Sequence, residues 1–419
     1  MRVRLGLMML LATVMLSLAS CGHYNCATSL LSTCSTTTTT PPPPTGSANA
    51  FAFAVDQTGL INGYTLNTTA GTLAATPSFI APAIPAGDPG VGMVVAQKQF
   101  VYAVFEAENK LYGWSIDATT GALALLNGFP LTLTVNAPIV TYNEYNVATN
   151  PAGTLLFISD TANSRIFVYQ VAATGTLTAV TNSPFTTGLV QPGNLTTDGL
   201  GRYLYVTALS SNHQGSGVLG YSIGTGTNVG VLTLLTGSPF NFPMWQLQGD
   251  PSGTFLIGTT GSTLHFSGAD DNHLYVFNIL ASGTTPGAIS EVAGSPFTTQ
   301  FSPFNIAVSP APASGSIEFL YSFSVNDGDT AYNAIEGYQL DTTTGALSAI
   351  TGSPFTTLAT GHWGQFDQSG TLLFVYSDVL GGAASTQLAP LAVSSTGLLT
   401  QPVPSLTLAT AGYWVVTDP

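Results

Sequence analysis

The chain has 419 residues, of which only 6% are charged and 45% are hydrophobic, and its formal net charge is −14. All twenty carboxylates follow Cys21, and only four bases do (Lys98, Lys110, Arg165 and Arg202), so twenty acids less four bases leave that stretch at −16. Such a field repels nucleic acid and other polyanions, while the apolar fraction and sixteen tyrosines exclude disorder for the bulk of the chain.

Arg2 and Arg4 precede an apolar run, Leu5 to Leu18, that is too short to span a bilayer comfortably and reads as an export signal. The run closes with Leu18-Ala19-Ser20-Cys21, which resembles the lipobox of bacterial lipoproteins. That resemblance implies a signal peptide over residues 1–20, lipidation of Cys21, and a body held at the membrane outside the cytoplasm. Gly22 in place of Asp implies the outer membrane where the organism has one. Residues 21–48 carry Thr36 to Thr40 and Pro41 to Pro44, a composition that cannot bury a core and favours an extended polyproline stalk. Cys26 and Cys34 lie in this stalk, with a disulfide between them left open, and no Cys follows them.

The body, residues 49–419, is organised by a repeated tag. It reads Asn127-Gly128-Phe129-Pro130, Asn182-Ser183-Pro184-Phe185, Gly237-Ser238-Pro239-Phe240, Gly294-Ser295-Pro296-Phe297 and Gly352-Ser353-Pro354-Phe355, after a looser Thr76-Pro77-Ser78-Phe79. A period of roughly 50–60 residues fits one four-stranded propeller blade with generous loops. The unit from Tyr145 to Val190 shows the order: Val147-Ala148-Thr149, a turn at Asn150-Pro151-Ala152-Gly153, Leu155 to Ile158, a loop, Ile166 to Tyr169, and a fourth strand ending in the tag. Proline suits that outermost strand, where a missing donor is tolerated. Third strands carry one large ring at a matching place, namely Tyr64, Trp114, Tyr169, Tyr221, Phe277 and Tyr338, with Leu391 in the last unit.

Seven third strands predict an all-β, seven-bladed propeller of four-stranded antiparallel blades. Its blades run over about 49–90, 91–140, 141–190, 191–242, 243–301, 302–358 and 359–409. The first unit lacks an inner strand, and Gly412-Tyr413-Trp414-Val415-Val416 is an inner strand without a blade. Pairing residues 410–419 into the first blade would close the ring and remove the exposed edges.

With the blades assigned, Ile335 to Leu340, Thr343-Thr344-Gly345-Ala346-Leu347 and the Gly-Ser-Pro-Phe ends resemble the blade signature of lactonase-family seven-bladed propellers, the group that includes bacterial 6-phosphogluconolactonase. The resemblance covers about residues 50–419 and implies lactone hydrolysis as an activity. Family enzymes use arginines to hold a phosphate or carboxylate, and a histidine in a Pro-His-like inner-strand motif. Here that place reads Gln191-Pro192-Gly193-Asn194, and only Arg165 and Arg202 remain in the body. Phosphate recognition wants bidentate cations, so these departures argue against a phosphosugar substrate.

Ligands of propellers bind where loops enter the inner strands and join second to third strands. A lactone hydrolase needs a base near neutrality and an oxyanion partner, which makes Glu144 or His362 the expected base and Arg165 the electrophile. Tyr145, His213, Trp245, Gln246, Trp363 and Gln365 are the expected ligand-binding residues, with His265 and Asp271 in neighbouring loops. Asp327-Gly328-Asp329 and Asp270-Asp271 resemble fragments of calcium loops without the remaining ligands, so no cofactor is expected, and a structural calcium at Asp327 and Asp329 is the alternative. The expected function is a monomeric, lipid-anchored binding module for a protein or neutral glycan, and the alternative is a hydrolase of an uncharged lactone.

Overall fold

The computed structural model describes the chain from residue 50 onward, except for residues 57–60, 68–71, 76–89, 106–107, 134–144, 189, 210–214, 262–270, 311–314, 316, 325–333, 357, 359–360, 362, 368, 378–386, 403–404, 408–411 and 418–419. The signal, Cys21 and the stalk therefore lie outside the described residues.

The described strands form antiparallel four-stranded sheets in the order inner, second, third, outer. The third sheet is typical, with Tyr145–Thr149, Leu155–Asp160, Arg165–Val171 and Leu177–Ala179. The fifth repeats it with Gln246–Gly249, Phe255–Thr259, His273–Ile279 and Ile289–Glu291. Seven such sheets follow one another, and the strand Gly412–Thr417 pairs antiparallel with Ala50–Asp56 at the beginning. Inner strands of neighbouring sheets touch one another, and Gly412–Thr417 also contacts Gly90–Ala96 of the second sheet. The one helical element among the described residues is a 3-10 turn at Gly226–Asn228. It sits where the fourth unit departs from the common third-to-outer turn.

Strand periodicity explains the core. Second strands such as Leu155–Asp160 and Tyr203–Leu209 are buried on both faces, because each sheet packs against two neighbours. The third-strand rings share one register: Tyr64, Trp114, Tyr169, Tyr221, Phe277 and Tyr338 each oppose the same place in an outer strand. Inter-sheet ties alternate around the molecule. Tyr102, Tyr205 and Tyr321 each donate from Oη to a glycine carbonyl in the next sheet, at Gly175, Gly287 and Gly397, over 2.6–2.8 Å.

The tag proves to be a kink within the outer strand. Its Pro follows a cis peptide at all five full copies, and the Phe that ends the four Ser-containing copies returns to the third strand. In those copies the Ser hydroxyl accepts a third-strand N–H, from Val168, Gly220, Val276 and Gly337 to Ser183, Ser238, Ser295 and Ser353, at 2.9–3.1 Å. The outer strand is thus two short pieces laid along the third strand, and the serine supplies the bond lost between them.

Candidate functional site

Inner strands begin on one face, here called the loop face, and end in the tight turns of the hairpin face. On the loop face the backbone N–H of Trp245 is fixed by Thr259 O at 2.7 Å, and its ring lies against Gly261, where a Cβ would come within 3.0 Å of the indole. Gly261 also has a φ of +79°, so the close approach and the left-handed backbone both select glycine. Trp245, Phe304 and Trp363 form an arc over three consecutive sheets, with centroid separations of 6.1 Å at each step. Phe304 is buried, whereas both tryptophans are half-buried.

Beneath the arc runs a row of side-chain amides at one inner-strand register. Asn194 Oδ1 accepts the N–H of Leu247 in the next sheet at 3.0 Å, and Gln246 Oε1 accepts that of Ile306 at 3.0 Å. Asn305 holds the same place one sheet further on. It is 1% exposed, yet neither Oδ1 nor Nδ2 has a hydrogen-bond partner. Gln191 Oε1 and Ser302 Oγ are likewise buried and unpartnered. Buried polar atoms are nearly always satisfied, so an orphaned amide below half-buried indoles marks a place where a ligand or water would be held.

The expected residues distribute unevenly. Trp245 and Trp363 flank the arc. Gln246 contributes its amide oxygen to the row and is buried. Tyr145 is fully buried and donates to Asn109 Oδ1 at 2.7 Å, which makes it a tie between the second and third sheets. Gln365 lines an axial cavity of about 590 Å³ toward the hairpin face, together with Gln248, Thr149, Thr197 and Ser309. Arg165 opens the third strand. Its Nε donates to Asp160 Oδ2 at 2.8 Å, both side chains are buried (6% and 0% exposed), and its guanidinium lies 4.7 Å from the Phe167 ring centre. Glu144, His362, His213, Asp327 and Asp329 lie outside the described residues. Among the described residues no three His, Cys, Asp or Glu side chains gather as a metal set.

Two groups contain residues that sequence reasoning missed: Glu336, and His273 and Tyr275 around the expected Asp271. Glu336 accepts the N–H groups of Gln300 and Phe301 at 2.8 and 3.1 Å and the hydroxyl of Tyr338 at 3.0 Å, bracing the loop that leads to Ser302. Burial pushes its carboxyl above the usual range, and these hydrogen bonds act in the opposite direction. The second group is Asp271, His273 and Tyr275. Asp271 Oδ1 pairs with His273 Nδ1, and its Oδ2 accepts from Tyr275 Oη at 2.9 Å and Thr260 Oγ1 at 3.1 Å. Burial, then the bond to Asp271, pushes the Tyr275 hydroxyl well above its ordinary value. Alternation of polar residues at 271, 273 and 275 was the available signal, since period two places His273 and Tyr275 on one face of the strand that Asp271 leads into.

The described sheets make an all-β propeller of four-stranded antiparallel blades. The family model described as "Lactonase, 7-bladed beta-propeller" matches residues 44–218. A Bacteroides uniformis protein named as a candidate 6-phosphogluconolactonase is similar at 17% identity, with a TM-score of 0.64 over 88% of this chain and 99% of that one. A Bacteroides fragilis protein named likewise is 15% identical, with a TM-score of 0.61 over 90% of this chain and 99% of that one. The periplasmic gluconolactonase of Pseudomonas aeruginosa is 14% identical, with a TM-score of 0.56 over 88% and 99%. At these identities the likeness concerns the fold. No curated protein matches the chain.

Proposed function

We propose that the protein is an extracytoplasmic propeller, anchored by lipid at Cys21, whose loop face binds an uncharged polyhydroxylated ring such as a neutral glycan. The observation that carries this reading is the arc Trp245–Phe304–Trp363 beside the unpartnered amide of Asn305. Apolar ring faces with a few polar groups to fix orientation are the usual composition of a small-molecule site. The closed seven-bladed ring that holds this face together is supported by the seven sheets, the pairing of Gly412–Thr417 with Ala50–Asp56, and the cyclic contact of inner strands.

Calorimetric titration of the purified chain with neutral oligosaccharides, sugar lactones and their phosphorylated counterparts tests the proposal. Neutral compounds should bind, phosphorylated ones should bind more weakly against the acidic body, and Trp245→Ala or Trp363→Ala should weaken binding by roughly tenfold. Equal binding by both alanine variants would refute it. A second reading, hydrolysis of an uncharged lactone, is favoured by the family match over residues 44–218 and by the Asp271–His273 pair. Of the residues expected for it from sequence, Glu144 and His362 stay candidate bases, whereas Arg165 is buried in its ion pair with Asp160 and is engaged as a brace.

A further inference from the structure

The third strand of the fifth sheet, His273–Ile279, is led in by Asp271-Asn272, and the geometry at this entry goes beyond bracing. Register places His273 where the third sheet has Arg165, each opposite a threonine of the returning outer piece, Thr298 and Thr186. Arg165 is buried in its ion pair, whereas the His273 side chain keeps 36% of its surface exposed. Both Asp271 oxygens are engaged, by His273 on one side and by Tyr275 and Thr260 on the other. A carboxylate held on Nδ1 selects the tautomer whose Nε2 lone pair is available. Thr260 adjoins Gly261, the residue under the Trp245 ring, so the second strand links the pair to the inner strand that carries the first ring of the aromatic arc.

We infer that His273, oriented by Asp271, is the general base that opens a neutral lactone bound against Trp245; the inference rests on the lactone reading above. Nε2 takes a proton from water, and the oxygen adds to the lactone carbonyl. The ring C–O bond then breaks, and the departing alkoxide takes the proton back from the imidazolium. Water and lactone thereby become one hydroxy acid, which ionises in solution, and no further reactant is required. His273 is the catalytic residue in this scheme, and Asp271 positions it.

The test uses the full chain with a panel of uncharged sugar lactones, following turnover by acid release and binding by calorimetry. General-base removal is expected to lower kcat by about 10²–10⁴-fold in His273→Gln and His273→Ala while KM changes little. Added imidazole should restore part of the turnover to His273→Ala, which a structural role would not allow. Asp271→Asn should lower kcat less than His273→Gln, with lactone binding retained. Wild-type turnover that persists unchanged in His273→Gln overturns the assignment and leaves the lactone reading standing. If the wild-type protein binds lactones and opens none, the lactone reading itself fails, and this inference fails with it.

Discussion

Glu318 offers the sharpest check on the physics of this fold. It occupies the position before the second strand's first core ring, where Thr154, Arg202, Thr254 and Thr371 stand in other sheets and lend their carbonyls to the third strand. Glu318 is 0% exposed, and neither carboxylate oxygen has a hydrogen-bond partner. Burial, with a smaller contribution from the nearby charge of Asp250, pushes its carboxyl from 4.5 up to about 7. The folded chain therefore keeps a proton that the unfolded chain releases, so stability falls as pH rises between those values. At roughly 1.4 kcal/mol for each tenfold change in proton affinity, the full cost above pH 7 is at most roughly 3.5 kcal/mol. Below the unfolded value near 4.5 the cost is absent. Glu318→Gln keeps the volume and an unpaired polar end but cannot ionise. Urea unfolding from pH 3.5 to pH 8.5 should show the smallest difference at the acid end and the variant gaining relative stability toward the alkaline end. Glu336, which shifts in the same direction, is common to both proteins and drops out of the difference. A difference curve that stays flat across the range would refute the reasoning.

Three further substitutions test how the sheets are held. Gly345→Ala should cost about 1–3 kcal/mol in urea unfolding, because its φ is +74° and a Cβ would lie 2.7 Å from Phe255 of the preceding sheet. Arg165→Met should cost about 3–5 kcal/mol by leaving the buried Asp160 without its cation; a loss no larger than that of Arg202→Met, whose partner pair is part-exposed, would refute the brace. Tyr321→Phe should cost about 1 kcal/mol by removing the bond to Gly397 O, and thermal unfolding unchanged from wild type would refute it.

Much of the fold was legible because it repeats within each unit. The third-strand rings from Tyr64 to Tyr338 share a register in the structure as they do in the sequence, and the turns at Asn150, Asp198, Asp250 and Asp367 recur because each side chain accepts the N–H five residues on. Spacing makes the tag a strand terminator, but its serine bonds to a strand 15 to 19 residues earlier, and spacing alone does not display such a bond.

Contacts between units were the part that the repeat concealed. Tyr145 has the position and chemistry of a ligand-binding residue, yet its hydroxyl is spent on Asn109 of the preceding sheet. Asn194, Gln246 and Asn305 look interchangeable along the chain, and only the relation between neighbouring inner strands separates two satisfied amides from one orphan. His273 was overlooked for a related reason. Along the chain Asp271 stands beside Asp270 as a fragment of a calcium loop, whereas in the structure its side chain joins His273 and Tyr275. In a propeller the units are near-equivalent by construction, so regular positions serve the ring. A site must come from positions where one unit breaks the pattern of its neighbours. Asn305 without its acceptor role, and His273 exposed where Arg165 is buried, are such breaks, and both lie on the loop face within the fifth to seventh sheets.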